Sequence, residues 1–84
     1  MDRDTLIEKL ADAEHASWSH WMKYLFSQCA NVQGDMVIPK KTVEHWQRQM
    51  NTPYEQLTDR EKESDREEVR KILPSIDAYF AWNR

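Results

Sequence analysis

A chain of 84 residues makes one small domain, spanning 1–84, with room for only a thin apolar core. With 32% charged residues and a formal net charge of −3, it lacks the cationic field on which general nucleic-acid and membrane-surface binders rely. No apolar run approaches membrane-spanning length, and a single cysteine, Cys29, excludes an intrachain disulfide, so a cytoplasmic protein is expected.

The first helix is predicted to open at Thr5. Thr5-Leu6-Ile7-Glu8 fits a capping box, in which the threonine oxygen accepts a backbone N–H and the glutamate reaches back. The helical pattern then continues to about Cys29. At 100° per residue, Ile7, Ala11, Trp18, Trp21, Met22, Leu25 and Cys29 share one stripe. Glu14 falls in the middle of that stripe and His15 at its edge. Trp21, beside Met22 and Leu25, reads as core. Trp18, one turn from Glu14 and His15, is placed to stack a flat ligand.

An irregular link, "ANVQGDMVIP", follows. Asn31, Gly34 and Asp35 are turn residues, and 36–38 form one short extended segment or none. Pro39 fits the first position of a second helix that ends near Met50, with Val43, Trp46 and Met50 on its apolar stripe. Thr52-Pro53-Tyr54-Glu55 predicts a short capped helical turn. Thr58-Asp59-Arg60-Glu61 predicts another capping box, opening a long third helix. Pro74 is expected to break or kink that helix, giving a final short helix or a bent continuation through Tyr79 and Phe80.

The third helix raises the sharpest question. Val69, Ile72, Leu73 and Ile76 recur at helical spacing, but the same stripe continued toward the N-terminus meets Lys62, Asp65 and Arg66. Charges taken out of water must be paired. Facing Glu14, they form either an internal ion network or a polar cleft whose carboxylates, Glu14 and Asp65, orient Arg66 and Lys62 toward an anion. An arginine fork suits phosphate. No phosphate-cradling glycine loop, zinc spacing, metalloprotease helix motif or serine nucleophile motif is present. The chain therefore reads as non-enzymatic, with no catalytic residue, no cofactor and no metal site.

The segments "LADAEHASW" and "TPYEQLTDREKESDREEVRKIL" resemble the two signatures of the ryanodine-receptor repeat, or RyR domain. The first matches E-H-x-x-W. The second is similar to proline, an aromatic and E-x-L, then E-x-K-x-x-D-R, which here reads E-K-E-S-D-R. Together they cover somewhat more than a third of the chain, in the family's order. The motif falls on Glu14, His15 and Trp18, then on Pro53, Tyr54, Leu57, Lys62, Asp65 and Arg66. The middle of the chain departs from the repeat, and Trp46 and Arg48 are candidates to replace contacts missing there. The resemblance implies a small helical domain that binds a nucleotide or nucleotide-derived messenger. It also implies a phage-type module acting in host defence by sequestering that messenger in the host cytoplasm, and a homodimer or higher homo-oligomer.

These readings combine into an all-α, three- to four-helix domain with one irregular link. Trp18 is expected to stack a base, Arg66 and Lys62 to hold phosphates, and His15 and Tyr54 to hydrogen-bond the ligand. Glu14, Asp65, Trp46 and Arg48 support that site. No extended nucleic acid and no membrane is expected as a partner. The competing reading is a protein-interaction or structural domain, with a purely internal ion network and a partner surface of Trp46, Met50, Tyr79, Phe80 and Trp82.

Overall fold

The computed structural model describes residues 1–83 and contains three helices, one small hairpin and a 3-10 turn. Helix α1 spans Arg3–Gln28, strands β1 and β2 span Ala30–Val32 and Asp35–Val37, and α2 spans Lys40–Met50. A 3-10 turn at Tyr54–Gln56 leads into α3, Asp59–Trp82. The domain is small and mainly helical, as the sequence pattern predicts. Among the described residues, no helix is long and apolar enough to cross a membrane.

Helices α1 and α3 form the body, packed along each other. Two bonds set their antiparallel register: Ser17 Oγ donates to Glu68 at 2.7 Å, and Asn83 Nδ2 donates to the Met1 carbonyl at 3.1 Å. Both helices rise about 1.5 Å per residue. Leu6 therefore lies level with Tyr79, Leu10 with Ser75 and Ala13 with Ile72. All six are half-buried.

The inward face of α1 differs from the predicted one. Its first half turns Leu6, Leu10, Ala13 and Ser17 inward, while Ile7 and Trp18 are 52% and 54% exposed. The stripe is rotated by about one residue, because small Ala13 and Ser17 let α3 approach closely and Ser17 engages Glu68. Glu14 is exposed rather than set in an apolar face. The second half keeps Met22, Leu25 and Cys29 half-buried, as expected, but Trp21 remains 43% exposed.

The helix boundaries also shift. The cap of α1 is Asp2, whose carboxylate accepts from the Thr5 N–H at 2.7 Å. This places the start ahead of Thr5, and the predicted box there does not form. Pro39 is the cap of α2 rather than its first helical residue. Pro53 likewise precedes the 3-10 turn, and Thr52 Oγ1 donates back to the Arg48 carbonyl, so the predicted cap at Thr52 is absent. The Thr58 box forms in both directions: Thr58 Oγ1 accepts from the Glu61 N–H at 3.2 Å, and Glu61 accepts from the Thr58 N–H at 3.0 Å. Pro74 lies inside α3 without ending it. One missing N–H costs a single ladder bond, and half-buried Ile72, Ile76 and Tyr79 hold both sides of it against α1.

The link is a hairpin. Gln33 and Gly34 both have positive φ, 53° and 91°, as a two-residue type I′ turn requires. The Asn31 side chain accepts from the Gly34 N–H at 3.0 Å. Ala30 pairs with Val37, Asn31 with Met36 and Val32 with Asp35. All six strand residues are exposed.

No described side chain is fully buried. The molecule extends 53 × 33 × 16 Å with a radius of gyration of 17.0 Å. A compact domain of this length has a radius of about 12 Å.

Candidate functional site

Two concave surfaces flank α3. The larger is a cleft of about 1030 Å³ between α1, α2 and the first half of α3. On α1, Trp18, Trp21 and Tyr24 return every three residues, so they rise along one side of the helix. Trp46 of α2 closes the aromatic cluster, its ring centroid 5.3 Å from Trp21 and 6.3 Å from Tyr24. These tilted contacts, together with an ion pair from Arg48 Nη2 to Glu61 Oε2 at 2.6 Å, fasten α2 to the body.

The charge of this cleft is acidic. Its lining includes five carboxylates, Glu14, Glu61, Asp65, Glu67 and Glu68, against three cations, Arg48, Arg60 and Lys71. Two of those cations are engaged. Arg48 holds Glu61, and Lys71 Nζ lies 2.8 Å from Glu68 Oε1. The Thr58 N–H, and then Arg48, keep the Glu61 carboxyl below the usual glutamate value. Lys71, and then the Ser17 hydroxyl, do the same for Glu68. Among the described residues, Arg60, Glu14 and Asp65 make no ion pair.

The second surface is a groove of about 470 Å³ on another side of α3, lined by Tyr54, Asp65, Arg66, Val69, Arg70 and Leu73. Lys62 Nζ stands 5.8 Å over the Tyr54 ring, a cation–π contact. Arg66 and Arg70 share Glu63, with Arg66 Nη1 3.2 Å from its carboxylate. Glu63, and then Tyr54, hold the Arg66 guanidinium above its usual value. Arg70, and then Arg66, hold the Glu63 carboxyl low.

The predicted site is therefore divided. Glu14, Trp18, Trp46 and Arg48 line the cleft, Tyr54 and Arg66 line the groove with Lys62 over Tyr54, and Asp65 borders both. His15 is outside both; its ring stacks on Trp18 at 5.9 Å and meets Ser19 Oγ at 3.5 Å. The expected network of Glu14 with Lys62, Asp65 and Arg66 does not form, because rotation of α1 leaves Glu14 exposed and Arg66 is taken by Glu63. Nor do Glu14 and Asp65 orient the cations. Sequence reasoning missed Trp21, Tyr24, His20 and Arg60 in the cleft. The three-residue spacing of Trp18, Trp21 and Tyr24 is the signal that could have found the aromatic wall. Among the described residues, no three His, Cys, Asp or Glu side chains converge as metal ligands.

Compared with family models, curated proteins and solved structures, the chain matches none. The likeness to the ryanodine-receptor repeat rests on its motif residues alone.

Proposed function

We propose that the protein is a non-enzymatic binding module for a nucleotide-type small molecule, held in the cleft between the three helices. The observation that carries this reading is the wall of half-exposed Trp18, Trp21, Tyr24 and Trp46 beside unpaired Arg60. Aromatic faces stack bases, and a cavity of this size suits a small ligand. The excess of carboxylates favours a base and sugar over a bare polyphosphate. Glu14 and Asp65 would accept from ribose hydroxyls, and Arg60 is the available cation for one phosphate. Lys62, Arg66 and Tyr54 lie on the other surface, away from that phosphate. Sequestration of a host messenger by a phage-encoded copy rests on the motif resemblance.

Titration with adenosine, ADP-ribose, ATP and cyclic oligonucleotides, followed by tryptophan fluorescence and melting temperature, tests it. A ligand at 100 times its Kd stabilises the fold by about 2.7 kcal/mol. ADP-ribose is expected to outperform ATP, and Arg60→Ala to weaken it. Absence of any shift across the set overturns the reading.

A protein-interaction role has its own support: Met50, Phe80 and Trp82 are 74%, 63% and 74% exposed. These are the largest exposures among the large apolar side chains of the described residues, although Trp46 and Tyr79 of the expected partner surface are half-buried. Retained partner binding by a cleft-blocking Trp18→Glu variant would favour this second role.

A further inference from the structure

We infer that the nucleotide held in the cleft carries a positively charged base, of the kind a purine acquires when a ring nitrogen is methylated. The inference rests on the nucleotide reading of the cleft and names its ligand more closely.

The acidity of the cleft survives its own ion pairs. Arg48 holds Glu61, and Lys71 holds Glu68. Glu14, Asp65 and Glu67 then stand against Arg60 alone, which leaves an excess of two negative charges. His20 and His45, also on the lining, add no formal charge at neutral pH. Arg70 acts on Glu67 only through space, since its guanidinium is bound to Glu63. A lining of this sign opposes a ligand whose only charge is phosphate. A cation on the base offsets that opposition.

The rings select the same chemistry for a different reason. Trp21, Tyr24 and Trp46 lie against one another, with centroids 5.3 to 6.3 Å apart. Trp18 does not join them. Its one aromatic neighbour among the described residues is His15 of the same helix, and at 54% it is the most exposed ring of the cleft. An indole with a face open toward a cavity is a stacking platform. The negative quadrupole of that face binds a cationic ring more tightly than a neutral one.

The two features meet at one end of the cleft. The Ser17–Glu68 register sets Trp18 level with Glu67, a carboxylate that no cation contacts. Arg60 lies seven residues, about 10 Å, farther along α3, toward the Tyr24 end. The cleft thus offers an aromatic, acidic end and then a single cation. That is the order of a cationic base joined through ribose to one phosphate.

Calorimetric and tryptophan-fluorescence titrations of the full chain test this with matched pairs. The probes are AMP against 1-methyladenosine 5′-monophosphate, and GMP against 7-methylguanosine 5′-monophosphate. The methylated member of at least one pair is expected to bind about tenfold more tightly, a difference of 1.4 kcal/mol. Glu67→Gln, which removes a charge and no contact, should shrink that preference about threefold without weakening AMP. Trp18→Leu should abolish it. Equal affinities within both pairs overturn the inference and leave the nucleotide reading standing. So does a preference that Trp18→Leu leaves intact, or tetramethylammonium bound as tightly as the methylated nucleotides. No binding by any of the four nucleotides overturns both.

Discussion

Half-buried residues recur every three or four positions along both α1 and α3, and Ser17–Glu68 and Met1–Asn83 fix their register. From Cys29 to Met50 the chain holds on differently: the hairpin lies uncovered, and α2 is fastened by the Trp46 rings and the Arg48–Glu61 pair. The first region spreads its stabilisation over many small contacts. The second relies on fewer contacts, chiefly those of Trp46 and Arg48. Distributed packing tolerates the loss of one methyl-sized contact but not a charge within the seam. Point attachment weakens sharply when either anchor is removed.

Substitutions can break this contrast or sharpen it. Ile72→Asp, which puts a carboxylate opposite Ala13, should cost about 3 kcal/mol or more and abolish the cooperative denaturant transition. Trp46→Ala removes the α2 anchor and should cost about 2 kcal/mol. Hydrogen exchange gives the more telling readout: amides of 40–50 should lose protection while those of α1 and α3 keep it. Equal loss in both regions would show one cooperative unit. Thr58→Ala deletes the formed capping box and should cost about 1 kcal/mol in denaturant melts. Thr5→Ala, at the box that does not form, should cost measurably less.

Acid should act on α3 and the α2 anchor, and also on the α1 cap, where the Thr5 N–H holds the Asp2 carboxyl below its ordinary value. Glu61, Glu63 and Glu68 have folded-state pKa values below the ordinary 4.5. Their contribution is therefore complete above that value. It is lost as pH falls through it toward the lower folded-state values, because the unfolded chain then takes up protons first. A melting temperature that declines below about pH 4.5 and less steeply in Arg48→Gln is the expected result. Arg66→Ala should have the smallest effect, within error of wild type in thermal melts, since Arg66 makes an exposed pair and Arg70 still holds Glu63.

Much of the fold was legible in the residues. The third capping box and the helical turn after Pro53 follow from local chemistry, which needs only neighbours in sequence, whereas the start of α1 at its Asp2 cap and the unbroken run of α3 through Pro74 do not. The turn at Gly34 and an extended segment near 36–38 were legible, but their pairing with 30–32 into a hairpin was not, because Gln33-Gly34 is a weaker turn signal than Asn-Gly and a three-residue strand has almost no periodicity. The site was half legible for a geometric reason. On α1, the Ile7–Trp18 and Leu6–Ser17 stripes share the helical period and differ by one residue of rotation. Which one turns inward depends on small Ala13 and Ser17 meeting α3. On α3, Lys62 stands about 100° from Glu61, enough to place it over Tyr54 while Glu61 meets Arg48, and Asp65 borders both surfaces while Arg66 lines the groove alone. Reading them as one stripe joined groups that the fold separates.

The bond from Asn83 to the Met1 carbonyl has a practical consequence for labelling. It closes the two ends of the described chain at one pole of the body, while the 26-residue α1 carries the hairpin roughly 39 Å away. Fluorophores or affinity tags attached at either end would sit side by side and clear of the hairpin. A short peptide splice joining those ends would suffice for a circular permutant reopened at Gln33–Gly34, leaving every helix whole.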